Sequence, residues 1–230
     1  SLLVHNGEAD AMICGCVGNF MDHMKPVIDV IGLKPGVETA AALRALIMPQ
    51  GTFFICDTHV NPNPSIPQIS EMTLMAAEEI RRFGIVPKVA LLSHSNFGNY
   101  NDESASKMSA ACRDIKQRDP SLEIDGEMNA DTALSKDIRK ILMPNSTLVG
   151  QANLLVMPNL EAANISFNIV KILGDGIPLG PLLLGVSKPA HILTPAVTPR
   201  GIFNVTALAC VQAQVAEEEK KVEPLKKVSL

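Results

Sequence analysis

The sequence lacks any surplus of positive charge: 20 Lys and Arg stand against 24 Asp and Glu, for a formal net charge of −4. A protein that tracks phosphates needs a basic face, so nucleic-acid binding is excluded as the default function. It also lacks an apolar run approaching the roughly 20 residues that span a bilayer. Ser1-Leu2-Leu3-Val4-His5 has no charged segment leading into an apolar one, so neither membrane insertion nor export is expected, and the expected compartment is the cytoplasm. There is no CxxC pair. The five cysteines, Cys14, Cys16, Cys56, Cys112 and Cys210, lie in apolar contexts and read as reduced thiols. Missing, too, are H-E-x-x-H, G-x-S-x-G, a Walker lysine and any clustered carboxylate set, which removes support for metalloprotease, nucleophile-elbow hydrolase and P-loop readings. The first residue is Ser rather than Met, as expected of a fragment.

What is present is a globular composition, 47% hydrophobic and 19% charged. Ala9 to Val17 suits a strand covered on both faces, with Cys14 and Cys16 on one side of it as core thiols. A helix is expected over Asp22 to Ile31, stopped by Gly32. Val37 to Met48 and Thr52 to Cys56 read as extended, although Ala40 to Leu46 also suits a helix. Asn61-Pro-Asn-Pro64 breaks the chain, and Ser65 with Pro67 then supplies an N-cap and a first-turn proline. The stripe Ile69, Met72, Ala76, Ile80 and Phe83 predicts a helix ended by Gly84. Strands follow at Lys88 to Ser93, Leu122 to Ile124, Ala152 to Met157 and Ile177 to Leu184. Between and after them helices are expected at Ser104 to Arg118, Asp131 to Leu142, Leu160 to Leu173 and Ile202 to about Ala216. Apolar strands alternating with helices predict an α/β class with a mainly parallel sheet covered on both faces.

Ligands of such sheets bind beyond the strands' carboxyl ends, so the polar residues there are the candidates. After Cys56 comes Asp57-Thr-His-Val-Asn61, which suits either a histidine base with its orienting carboxylate or loop-shaping hydrogen bonds. After Leu92 comes Ser93-His-Ser-Asn-Phe-Gly98. Here Ser95 and Asn96 offer donors to a phosphate or carboxylate, or else merely cap a polar turn. After Met157, Asn159 is placed to cap the next helix, and Asn164 sits about one turn in. Gly174, Gly176 and Gly180 lie between a helix and the following strand, the wrong direction for a dinucleotide loop, and read as turn residues.

Four stretches carry a resemblance: Asp57-Thr-His-Val-Asn-Pro-Asn-Pro64, Val89-Ala-Leu-Leu-Ser-His-Ser-Asn-Phe-Gly98, Ala152-Asn-Leu-Leu-Val-Met-Pro-Asn-Leu160 and Gly180-Pro-Leu-Leu-Leu-Gly-Val-Ser-Lys-Pro189. From about Ala9 to Gln214 the chain resembles the phosphate acetyl/butyryltransferase family, in particular the version fused at the C-terminus of bacterial NADP-dependent malic enzymes. The resemblance implies a two-lobed fold of the isocitrate/isopropylmalate dehydrogenase type, truncated at its N-terminus. Residues 1–56 and 186–216 would form part of a first lobe and 57–185 a second, with 217–230 a polar tail. It also implies a homodimer or higher homo-oligomer, with a cleft for the pantetheine and acyl end of a CoA ester. NADP and a divalent metal would belong to the malic enzyme domain, outside this chain.

Asn159 and Asn164 match the family's Pro-Asp/Asn-Leu-x-Ala-Gly/Ala-Asn loop, and Lys188-Pro189 its Lys-Pro turn. After that turn the family's transferases carry a Ser-Arg pair and, a few residues on, an Asp that serves as base. Here Thr194 keeps the hydroxyl, Pro195 stands for the arginine and Gly201 for the aspartate. A proline offers no cation and a glycine accepts no proton, so the resemblance implies binding without transfer. Ala41-Ala42, where the family often carries two serines, points the same way. Arg200 restores a positive charge six residues after Thr194. The expected function is an acetyl-CoA-binding regulatory and oligomerisation domain of a malic enzyme. The alternatives are an active phosphate acetyltransferase built on Ser95, Thr194 and Arg200, and a ligand-free dimerisation module.

Overall fold

The computed structural model describes the backbone of residues 1–226 and the side chains of residues 1–218. In chain order the elements are α1 Leu2–Asn6, β1 Met12–Gly15, α2 Phe20–Val30, β2 Ala41–Met48, β3 Gly51–Cys56, α3 Ile66–Arg82, β4 Lys88–Leu92 and α4 Glu103–Arg118. There follow β5 Glu123–Met128, α5 Ala130–Leu134, α6 Lys136–Leu142, β6 Leu154–Val156, α7 Leu160–Leu173, β7 Ile177–Leu184, β8 Ala190–Leu193 and α8 Pro199–Lys226. Six strands form one sheet in the order β5-β4-β6-β3-β2-β7, and β1 pairs with β8 in a separate parallel ribbon. The chain is α/β with a mostly parallel sheet: β5, β4, β6 and β3 run parallel, while β2 is antiparallel to both its neighbours. The sheet takes strands from both stretches expected as separate lobes, since β3 pairs with β6.

Period-two alternation sorts β2 between the two faces of the sheet. Ala41, Leu43 and Ala45 enter one cluster with Ile69, Met72, Ala76 and Ile80 of α3, Met108 and Ile115 of α4, and Val205 of α8. On the other face Leu46 joins Ile55, Leu155 and Phe167 of α7, whereas Ala42 joins Val60, Leu183 and Met24 and Val27 of α2. That second face thus carries two apolar clusters, and Arg44 falls between them in the strand sequence. α3 begins at the expected cap, Ser65, which forms a capping box with Gln68, and it buries Ile69, Met72, Ala76 and Ile80 of its stripe completely and Phe83 in part. Fully burying an Ile or Met side chain is worth about 1.5–3 kcal/mol, so packing rather than propensity fixes this helix.

Several elements differ from expectation. β1 is shorter than Ala9 to Val17 and only half-buried. Cys14 packs with Met12 in the α2 cluster, but Cys16 packs with Ile13 against the α3 cluster, so the two thiols face opposite sides. The cause is the backbone turn at Gly15 (φ 102°) and Cys16 (φ 68°), which ends the alternation. A Cβ at Gly15 would collide with the Leu193 carbonyl oxygen. The expected helix over Asp131 to Leu142 breaks at Ser135, whose side chain accepts from Ile138 N and starts a second helix. β8 was not anticipated, and α8 runs on to Lys226. Residues 227–230 of the expected polar tail lie outside the described residues. Among the described residues no helix is long and apolar enough to cross a membrane.

Candidate functional site

The loop after β3 is built on one carboxylate. Asp57, 2% exposed, accepts from the backbone N–H groups of Ala42 (3.0 Å), His59 (3.0 Å), Val60 (3.2 Å) and Asn61 (2.7 Å), and from Asn61 Nδ2 (2.6 Å). Burial raises its pKa, opposed by these hydrogen bonds. The loop-shaping reading of Asp57 therefore holds: both oxygens are taken, and His59 is met through its backbone rather than its ring. Asn61 Nδ2 also donates to Ala40 O at 2.9 Å, tying the loop to the start of β2.

Of this loop, Thr58 lies beside Asn164 of α7 and His59 beside Phe20 of α2. His59 Nδ1 lies 2.9 Å from Thr58 Oγ1, and its ring packs on Phe20 with centroids 4.8 Å apart. Burial, with the positive charge of Arg44 adding to it, holds the imidazole down to about 4, so His59 is neutral at neutral pH. Asn164 Nδ2 reaches Thr58 O at 3.4 Å, and Asn168 donates back to Asn164 Oδ1 at 3.0 Å. Arg44 stacks on the ring of Phe167, 4.2 Å from its centroid, and donates from Nη2 to Thr194 Oγ1 at 3.4 Å. It is 8% exposed, its Nε has no acceptor, and burial lowers its pKa to about 10. The result is a polar seam of Arg44, Thr58, His59, Asn164 and Thr194 edged by Phe20 and Phe167.

Of the residues expected from sequence, Asn164 and Thr194 meet in this seam, and Asn159 supports it by capping α7 through Ala162 N at 2.8 Å. The others lie elsewhere. Ser95 is fully buried, its hydroxyl donating to Glu127 Oε1 (2.9 Å) and accepting from Tyr100 N (3.2 Å). Asn96 accepts from Asn129 N at 2.9 Å. These two organise the turn after β4, and among the described residues no hydrogen bond joins that turn to the seam. Lys188 Nζ donates to Val4 O (2.6 Å) and His5 O (2.9 Å), holding the last turn of α1. Arg200, exposed on the first turn of α8, borders a groove of about 650 Å³ with Ile47, Phe83 and Leu179. That groove lies toward the α3 cluster, whereas Arg44 and Thr194 face the other side of the sheet.

Arg44 was missed in the sequence. Its signal is a lone charge inside an eight-residue apolar strand, Ala41-Ala-Leu-Arg-Ala-Leu-Ile-Met48. A β-bulge aids its placement: Leu43 pairs with Leu182 but Ala45 with Leu179, so β7 has one extra residue opposite Arg44. Gly180 makes this possible with φ 98°, since a Cβ there would lie 2.9 Å from Leu43 O.

Residues 1–210 match the family described as phosphate acetyl/butaryl transferase. Among curated relatives, the NADP-dependent malic enzyme of Salmonella typhimurium is 53% identical over 215 residues, which cover 93% of this chain but 28% of that protein. The phosphate acetyltransferase of Helicobacter pylori is 32% identical, over 93% of this chain and 41% of that protein. Among solved structures, a phosphotransacetylase from Streptococcus pyogenes superposes with a TM-score of 0.86 at 29% identity, covering 94% of this chain and 65% of that one. The chain thus spans less than a third of the malic enzyme it matches and under half of the acetyltransferase. With the family matched over nearly the whole of its length, and with phosphotransacetylases sharing its architecture, the chain belongs to the phosphate acetyl/butyryl transferase family.

Proposed function

We propose that this chain is a catalytically silent acetyltransferase-like module that binds acetyl-CoA and regulates an attached malic enzyme domain in the cytoplasm. The observation that carries it is the pairing of retained polar groups with missing chemical ones. Asn164 and Thr194 converge on the seam, yet Pro195 and Gly201 stand where the family's transferases carry an arginine and an aspartate. Both positions lack a side chain that moves a proton or holds a phosphoryl group. The seam suits the amide-bearing end of a CoA thioester: donors and acceptors on Thr58, His59 and Asn164, a cation at Arg44, and aromatic edges at Phe20 and Phe167. NADP and a divalent metal would be held by the attached domain, and acetyl-CoA would act by favouring one state of the assembly.

Active transfer by Ser95, Thr194 and Arg200 is disfavoured, because these three do not converge and Ser95 Oγ is fully engaged. Self-association as a homodimer or higher oligomer is part of the proposal. α3 leaves no apolar face free, but α7 exposes Ile165, Ile169, Ile172 and Leu173, and α8 exposes Phe203 and Val211. Calorimetric titration of acetyl-CoA into the intact protein tests the reading. Binding is expected, with Asn164→Ala weakening it by about 1–3 kcal/mol if the amide meets the ligand in a buried contact. Absence of heat at millimolar acetyl-CoA would favour the ligand-free dimerisation module instead.

A further inference from the structure

Among the described residues, the buried charged side chains and the buried histidine are, with one exception, answered within the chain. Asp57 has its loop N–H groups, and Asp125 has Lys116 at 2.9 Å and Ser146 at 2.7 Å. Glu127 has Ser95 Oγ at 2.9 Å and Gly98 N at 2.6 Å, and Glu79 has Gln212 at 2.7 Å. His191 accepts from Leu183 N at 3.2 Å and meets Gln212 Oε1 at 2.8 Å, while Arg139 donates to four backbone carbonyls. Arg44 is the exception among the described residues: it has no carboxylate partner, a single long hydrogen bond and an Nε without an acceptor. A guanidinium does not escape burial by losing its proton, so an unmatched one calls for an anion.

We propose that Arg44 is the receptor for a small monocarboxylate, bound in the seam beside Phe167 and Thr194. The fork of a guanidinium matches a carboxylate in a bidentate pair. Charge count selects the ligand: the seam holds one cation, and His59 is neutral there, so one negative charge balances it. A phosphate dianion would leave an unmatched negative charge in the same buried place. Thr194 Oγ1 accepts from Arg44 and keeps its own proton to donate to the second carboxylate oxygen. This inference goes beyond acetyl-CoA binding and stands without it.

The test is titration calorimetry of the intact protein with acetate, propionate and inorganic phosphate, ionic strength held constant with chloride. Acetate and propionate are expected to bind, with phosphate weaker by about tenfold or more. Arg44→Met is expected to lose that binding, and Arg44→Lys to weaken it by about tenfold, because a point charge lacks the fork. Circular dichroism on both variants verifies folding, and Arg44→Lys keeps the charge should Arg44→Met fail to fold. The proposal is overturned if neither carboxylate binds, if both variants bind as the wild type does, or if phosphate binds more tightly than acetate.

Discussion

Two buried arginines are put to opposite uses. Arg139, 3% exposed, donates to the carbonyls of Thr132, Ala133, Leu148 and Gly150, and so joins α5 to the loop before β6. Arg44, 8% exposed, makes one hydrogen bond at 3.4 Å and rests on a phenyl ring. The first is saturated and structural. The second keeps most of its donors, which is costly for folding and is tolerated where a site needs them. The same contrast separates Ser95, whose hydroxyl is fully engaged, from Thr194, whose proton is free.

The sharpest break of that comparison is Arg139→Met, which strands four carbonyls; it should destabilise the protein by at least about 3 kcal/mol in urea unfolding. Asp57→Ala should follow at about 3 kcal/mol, because five N–H donors lose their acceptor. A pH series comes next. Burial holds His191 and His59 at about 4, below the ordinary 6.5, so the unfolded chain takes up protons first as pH falls. Stability is therefore present above pH 6.5 and lost as pH drops toward 4, by about 2 kcal/mol for His191 between pH 7 and pH 5. His191→Gln should flatten that part of the unfolding profile. The smallest effect belongs to Arg44→Met: removing an unmatched buried charge should shift stability by less than about 1 kcal/mol, in either direction. A loss as large as that of Arg139→Met would show that Arg44, too, is structural.

The fold was legible wherever periodicity and stop signals agreed. α7 has the expected bounds of Leu160 and Leu173, with Asn159 as its cap, and β7 covers Ile177 to Leu184 as read. Periodicity failed where it ran through a break. Ile138 continues the spacing of the preceding helix, so nothing in the pattern marks Ser135 as both an end and a start. β8 was hidden because four residues between Lys188-Pro189 and Thr194 are too few to show alternation. In the site, Thr194 and Asn164 are legible through the resemblance; Lys188 is reached the same way but holds α1, and Arg200 is read from its sequence neighbourhood alone. Six residues along a chain that turns into α8 carry Arg200 to another groove. Arg44 sits 150 residues from Thr194, and only the bulge between β2 and β7 and the stacking on α7 bring the two together.

The claim at the centre, binding without chemistry, is tested most directly by incubating the intact protein with saturating acetyl-CoA and inorganic phosphate and following the thioester. Acetyl-CoA recovered unconsumed, with its binding established by titration on the same preparation, is the predicted result. Phosphate-dependent release of CoA with formation of acetyl phosphate, lost on Thr194→Ala, would contradict it.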